Sequence, residues 1–156
     1  MIEIFSVQKT SPYLDEIKHL FHVYASWRNF DAALGDFQKE LDQLPGKYAE
    51  PEGALILARF QGLAAGCIAY QALSKDICEM KRMFVLEEFR GKGIAKFLIE
   101  KLIQTAKNQN YRIMRLDTHP HMHTAQKLYT QMGFEEIGRY NQNPTPGIRF
   151  FEKSLG

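Results

Sequence analysis

Ile2 to Val7 set Ile2 and Ile4 against Glu3, Phe5 and Val7 at alternate positions, the period of a strand with both faces partly covered. The period then lengthens. Thr10-Ser11-Pro12 offers a cap and a proline at a first helical position. Leu14, Ile17, Leu20, Phe21 and Tyr24 recur three and four residues apart, which predicts an amphipathic helix. Phe37, Leu41 and Leu44 repeat that spacing more briefly, and Pro45-Gly46 stops it.

Leu55 to Phe60 and Ala64 to Ala72 are apolar, β-compatible runs joined through Gln61-Gly62, the pattern of a hairpin. Ser74-Lys75-Asp76 is a second turn, and Ile77 to Leu86 a third antiparallel strand. Gly93 to Lys107 reads as a long helix burying Ala95, Leu98, Ile99, Leu102 and Ala106. Arg112 to Thr118 is a strand, and Thr124 to Met132 a short helix stopped by Gly133. Glu136 to Tyr140 and Ile148 to Lys153 are the last strands, on either side of the loop Asn141 to Gly147. The predicted order is β-α-α-β-β-β-α-β-α-β-β, an α/β chain of mixed α+β type. Its sheet of six to seven strands is flanked by about four helices, with residues 77 to 118 as the parallel crossover. With no repeat, low-complexity run or linker, residues 1–156 are expected to form a single domain.

Composition narrows the class. Hydrophobic residues make up 45% of the 156 and charged residues 24%, an ordinary globular balance. A net charge of +2 lacks the basic stripe of nucleic-acid binders, so no nucleic-acid partner is expected. No apolar run approaches a membrane span, so no membrane partner is expected either. Two cysteines, Cys67 and Cys78, are too few for a disulfide framework. Met1-Ile2-Glu3-Ile4 lacks the basic-then-apolar order of a signal peptide. The expectation is a soluble, reduced, cytoplasmic protein.

The chemistry starts at Phe89-Arg90-Gly91-Lys92-Gly93-Ile94-Ala95, a loop that follows a strand and opens a helix. A helix N-terminus leaves N–H groups unpaired and carries partial positive charge, which suits a phosphate or pyrophosphate. Gly91 and Gly93 let the backbone approach an anion, while Arg90, Lys92 and Lys96 add positive charge. The spacing of a nucleotide P-loop is absent. A dinucleotide fold wants a third small residue where Lys96 stands, although Asp117 ends the next strand at a plausible distance for a ribose. A glycine-rich turn with merely solvated basic residues is the plain alternative.

Arg90, Gly93 and Ala95, in the spacing Arg-x-x-Gly-x-Ala after the strand Glu79-Met80-Lys81-Arg82-Met83-Phe84-Val85, resemble the acetyl-CoA-binding motif of the GNAT superfamily of N-acetyltransferases. Ala125 to Phe134, with Leu128, Tyr129 and Gly133 in place, resembles that family's second signature, Ala-x-x-Leu-Tyr-x-x-x-Gly-Phe. The two stand in the family's order and separation, and the predicted element order matches its fold over nearly the whole chain. The resemblance implies acetyl transfer from acetyl-CoA, a co-substrate, to a primary amine by direct attack, with no metal.

It also implies roles for individual residues. The backbone of Met83, Phe84 and Val85 would pair with the pantetheine arm, and Arg90, Gly91, Lys92, Gly93, Ile94, Ala95 and Lys96 would cradle the pyrophosphate. The strands carrying Val85 and Leu116 would splay to admit the thioester. Tyr129 would be the general acid to the departing thiolate, and Glu79 the base or the holder of a water that serves as one. Each has a plain alternative: a core ring for Tyr129, a solvated or ion-paired carboxylate for Glu79. Trp27, Arg28 and Phe30 would form one wall of the acceptor pocket, and the loop Tyr140-Asn141-Gln142-Asn143-Pro144 the other. One departure stands out, because relatives commonly carry Asn where this chain has Met122.

His119-Pro120-His121-Met122-His123 has the look of a metal tract but no acid or cysteine cluster completes a ligand set nearby. His119 is instead an alternative base lining the cleft. Cys67 and Cys78 lack a basic partner that would make either a nucleophile. Two other functions compete: an acyl-CoA-binding regulatory module without catalysis, and a dinucleotide-dependent oxidoreductase. The acceptor, whether a small molecule or a peptide amine, is not named by the motifs. Should the chain associate, a homodimer is the commonest arrangement.

Overall fold

A computed structural model describes residues 1–28 and 34–156, with side chains described for 1–26 and 37–156. Its strands are β1 (Ile2–Ser6), β2 (Ala54–Phe60), β3 (Leu63–Ala72), β4 (Ile77–Val85), β5 (Ile113–Thr118), β6 (Glu135–Ile137) and β7 (Arg149–Ser154). Among the described residues the α-helices are α1 (Leu14–Arg28), α2 (Leu34–Gln43), α3 (Ile94–Asn108) and α4 (His123–Gln131). Short 3-10 turns occupy Gly46–Tyr48 and Glu87–Phe89. The strands form one seven-stranded sheet in the order β1-β2-β3-β4-β5-β7-β6. All neighbours are antiparallel except β4 and β5, which α3 connects as the expected parallel crossover.

Each face of the sheet carries two helices because the helices are apolar on one side only. Ile94, Leu98, Ile99, Leu102 and Ala106 of α3 recur at helical spacing and pack with Ile56, Ile68, Met80, Met114 and Tyr129 into one core. Ile17, Leu20, Phe21 and Tyr24 of α1, with Phe37 and Leu41 of α2, cover Leu55, Leu57, Cys67, Ala69 and Phe84 on the opposite face. Each large apolar side chain so buried contributes roughly 1.5–3 kcal/mol. No helix among the described residues is long and apolar enough to cross a membrane.

Two departures from regular strands shape the middle of the sheet. The β3–β4 register shifts between Cys67 and Ala69, because β4 holds one residue more than β3 over that stretch. Arg82 takes up the extra length in the left-handed region, at φ 59°. The bulge therefore resets the alternation of β4. Cys78, Met80, Met83 and Val85 face the α3 core, while Phe84 faces the α1–α2 core and Glu79, Lys81 and Arg82 open toward a groove on that side. The second departure is the parting of β4 from β5, whose pairing runs only from Ile77–Ile113 to Glu79–Arg115 although both strands continue.

One expected element is shorter than its pattern suggests. The strand read as Glu136 to Tyr140 is β6 at Glu135–Ile137, paired with β7 over three residues. From Gly138 the chain leaves the sheet edge, and the hydroxyl of Tyr140 donates to Glu79 on the middle of β4. That tertiary contact outweighs the local alternation.

Candidate active site

The gap between β4 and β5 is the centre of the site. A cavity of about 60 Å³ lies there, lined by Met80, Met83, Leu116, His119, Met122 and Tyr129 among others. Beyond Glu79 the edge of β4 that faces β5 has no strand partner among the described residues. Met83, Phe84 and Val85 lie on that open stretch.

Tyr129 owes its position to the way α4 ends. Phe134 N donates to Tyr129 O at 2.9 Å and Gly133 N to Thr130 O at 3.1 Å, the paired bonds of a Schellman cap. Gly133 sits at φ 95°, where a residue with a Cβ would be strained, and the Phe134 ring packs 5.8 Å from the Tyr129 ring. The Tyr-x-x-x-Gly-Phe spacing is thus a helix stop that clamps its own tyrosine. The Tyr129 side chain is buried yet lines the gap.

Arg90 to Lys96 occupy the turn into α3. Gly91 and Gly93 both adopt φ 79°, and Gly93 caps α3 without a side-chain hydrogen bond to its first N–H groups. Nothing lies within 4 Å of where a Cβ would sit on either glycine, so it is backbone conformation, not crowding, that calls for glycine there. Arg90 Nε donates to Val85 O at 3.2 Å and ties the loop back to β4. Lys92 lies over the Phe60 ring at 5.2 Å, and Lys96 stands 4.0 Å from Glu100. Ile94 is buried in the α3 core and anchors the turn, while Ala95 packs against the same core.

On the other side of the sheet the gap opens into a groove of about 900 Å³. Glu79 forms part of its floor. Only 3% exposed, it accepts from Gln71 Nε2 (2.7 Å), Tyr140 Oη (2.6 Å) and Asn141 Nδ2 (3.2 Å), with Lys81 Nζ 3.8 Å away. Asn141 Nδ2 also donates to Asp117 Oδ2 at 2.8 Å, and Asn143 Nδ2 to the same oxygen at 3.3 Å. A single amide nitrogen therefore bridges two carboxylates. Burial, then the Glu79 hydrogen bond and the nearby carboxylate charges, push the Tyr140 hydroxyl far above its ordinary range and keep it a donor.

Loop 141–145 forms one wall and is braced by itself. Asn143 N donates to Asn141 Oδ1 and Thr145 N to Asn143 Oδ1, each at 3.0 Å. Arg139 reaches the carbonyls of Asn141 and Asn143. The facing wall comes from α2 and the turn after it. There Glu40 accepts twice from Arg82, at 2.8 and 3.0 Å, and lies 3.2 Å from Lys47. This forked pair holds the bulge residue in its left-handed conformation.

The structure thus brings Glu79, Tyr140 and Asn143 into one network, sets Tyr129 and His119 on the adjoining gap, and leaves Arg90 to Lys96 at the α3 end of the sheet. His119 is tied through its backbone carbonyl to Gln126 Nε2 at 2.9 Å, and its Nδ1 accepts from His121 N at 3.3 Å. The side chains of Trp27 and Arg28, and the whole of Phe30, lie outside the described residues. No group of three or more His, Cys, Asp or Glu that could hold a metal ion occurs among the described residues. Burial pushes the thiols of Cys67 and Cys78 up to about 12, so neither is a thiolate at neutral pH. Gln71 and the Glu40–Arg82 pair went unread in the sequence, since no local pattern sets them apart, and Asn141 was read only as part of a loop walling the acceptor pocket, without its carboxylate partners. Asp117 stood out only as a ribose contact, and it turns instead toward the amides of loop 141–145.

Known proteins resemble this chain in sequence and fold. The Acetyltransferase (GNAT) family model matches residues 14–134. An uncharacterised N-acetyltransferase of Schizosaccharomyces pombe is 32% identical over 152 residues, covering 96% of this chain and 93% of that one. Another from Dictyostelium discoideum is 30% identical, covering 84% and 89%. A GNAT-family acetyltransferase structure from Staphylococcus aureus superposes over all of both chains with a TM-score of 0.83 at 27% identity. The fold is also that of the PaiA N-acetyltransferase of Thermoplasma acidophilum, solved in complex with coenzyme A, with a TM-score of 0.78 at 16% identity and 99% of each chain covered. The motifs, the parted strands and a family match over most of its length agree, and the chain belongs to the GNAT family of N-acetyltransferases.

Proposed function

We infer that this acyltransferase, working as one domain over residues 1–156, moves the acetyl group of acetyl-CoA to a primary amine by direct attack. The observation that carries the reading is the end of β4–β5 pairing at Glu79–Arg115. It leaves one opening with the glycine turn at α3 toward one end, Tyr129 lining the gap and Glu79 on the groove. The turn from Arg90 to Lys96 would hold the pyrophosphate, and the open β4 edge at Met83 to Val85 the pantetheine amides.

In this reading the amine nitrogen attacks the thioester carbonyl carbon, a C–N bond forms and the C–S bond breaks. The proton leaving nitrogen goes to Glu79, directly or through a water, and the thiolate takes a proton from Tyr129. A backbone N–H near Met83 or Phe84 serves the oxyanion. The hydrogen bonds from Gln71, Tyr140 and Asn141 fix the orientation of the Glu79 carboxyl for this task. Alignment of the two reactants supplies much of the acceleration. With both cysteines buried and protonated, an acyl-cysteine step has no nucleophile.

The test is direct. CoA and acetyl-CoA, unlike NAD or ATP, should raise the melting temperature, with stabilisation of about 2.7 kcal/mol at a hundredfold excess over Kd. Thiol release should then follow on adding an amine from a broad panel. Absence of both effects would remove this reading.

A further inference from the structure

The groove carries its charges in two separate groups. Among the described residues, the α2 side carries Lys39, Lys47 and Arg82 with a single carboxylate, Glu40, which Arg82 engages with two bonds and Lys47 with one. Three cations against one carboxylate leave the described residues of that wall with two positive charges to spare. Lys39 is exposed and makes no ion pair among the described residues. Across the groove Glu79 and Asp117 share the amide of Asn141, and among the described residues their other donors are neutral except for Lys81, 3.8 Å from Glu79. Two carboxylates against one lysine leave that side one negative charge in excess.

Such a division discriminates among amines. A plain alkylamine would use the carboxylate side and gain nothing from the lysines. A polyamine would turn its second ammonium toward Lys39 and Lys47, a like-charge arrangement that costs affinity. A molecule bearing an ammonium at one end and an anion at the other meets a partner on both sides.

We propose that the acceptor is a dipolar amine, one that carries a carboxylate as well as the primary amine that is acetylated. Its ammonium is received beside Glu79 and Asp117 at the mouth of the β4–β5 gap, and its carboxylate by Lys39 and Lys47. Lys39 and Lys47 are thus specificity-determining residues. The assignment rests on the acetyl-transfer reading above.

Matched pairs of amines test it: γ-aminobutyrate against n-butylamine, ε-aminocaproate against n-hexylamine, with spermidine as the polyamine. The carboxylated member of each pair should show kcat/KM higher by roughly fivefold or more at low salt, a gain that shrinks as salt is added. Lys39→Glu, an exposed change, and Lys47→Gln should each lower that ratio, chiefly through the KM of the aminocarboxylate. Preference for the alkylamines or spermidine, or a ratio untouched by both substitutions, overturns the proposal. Calorimetry with acetyl-CoA separates the two levels. Protein that binds acetyl-CoA but prefers alkylamines refutes only the dipolar acceptor, whereas protein that binds no acetyl-CoA refutes acetyl transfer and the acceptor with it.

Discussion

The cofactor end of the site and the acceptor groove are built in opposite ways. The first is local: Arg90 to Lys96 form one turn, and Ala125 to Phe134 one helix with its cap. The second draws on α2, β3, β4, β5 and loop 141–145, with Glu79 bonded to residues 61 and 62 positions away. The local part depends on backbone geometry that only a few residue types can supply. The distributed part depends on side chains whose partners are chosen by the fold. Backbone lesions should therefore damage acetyl-CoA use, and side-chain lesions in the groove should damage amine use.

The largest effect should come from Glu79→Gln. The amide keeps the volume but loses the base, and turnover with saturating acetyl-CoA should fall on the order of 100- to 1,000-fold. A rise in the KM for acetyl-CoA alone would break the comparison, because Glu79 would then belong to the cofactor end. Tyr129→Phe sits on the boundary between the two parts. It leaves the ring contacts with Phe134 and Phe151 and removes only the hydroxyl, so kcat should drop roughly 10- to 100-fold with little loss of stability. An unchanged kcat would return Tyr129 to the plain role of a core ring.

Smaller still is the expected effect of Gly93→Ala. There is room for the methyl group, but φ 79° is left-handed, and a residue with a Cβ is disfavoured there by roughly 1–2 kcal/mol. The turn should relax and raise the Kd for CoA about 5- to 30-fold by calorimetry. The ratio of rates on paired amines, which reads the groove, should not follow. A change in that ratio would show the two parts to be coupled.

The same contrast explains what could be read in the chain before folding. Element order, the crossover and most of the α3 face are written in periodicity and appear where their spacing put them, although Ile94, not the expected Ala95, is the buried residue at the start of α3. Tyr129 was legible because Gly133 and Phe134 make its cap and travel with it in sequence. Asn141 was legible only as part of the acceptor-wall loop; its bridge between two carboxylates was not, since an Asn in a loop has no periodicity and gains that place only when β5 and β4 bring Asp117 and Glu79 beneath it. The bulge escaped for another reason. Its left-handed residue is Arg82, not glycine, and it is held there by Glu40, a partner 42 residues away. The overlong reading of β6 has the same origin, because Tyr140 alternates like a strand residue yet its hydroxyl is bonded to Glu79.

Glu40 offers the finest test, one of stability. Burial alone would raise its carboxyl, but the hydrogen bonds and charge of Arg82, then Lys47, outweigh burial and hold it below its ordinary 4.5. With the folded value depressed, the unfolded chain binds this proton first as pH falls. The stabilisation is therefore complete above about pH 4.5 and is lost as pH drops through the lower folded value. Denaturant titrations between about pH 3 and 7 should show a difference between wild type and Glu40→Gln of about 1 kcal/mol at neutral pH that closes in acid. Parallel curves would mean that Arg82 stabilises the carboxylate no more than water does. Its left-handed backbone at the bulge would then be held by the β3–β4 pairing alone, and the cationic wall of the groove would lose its anchor.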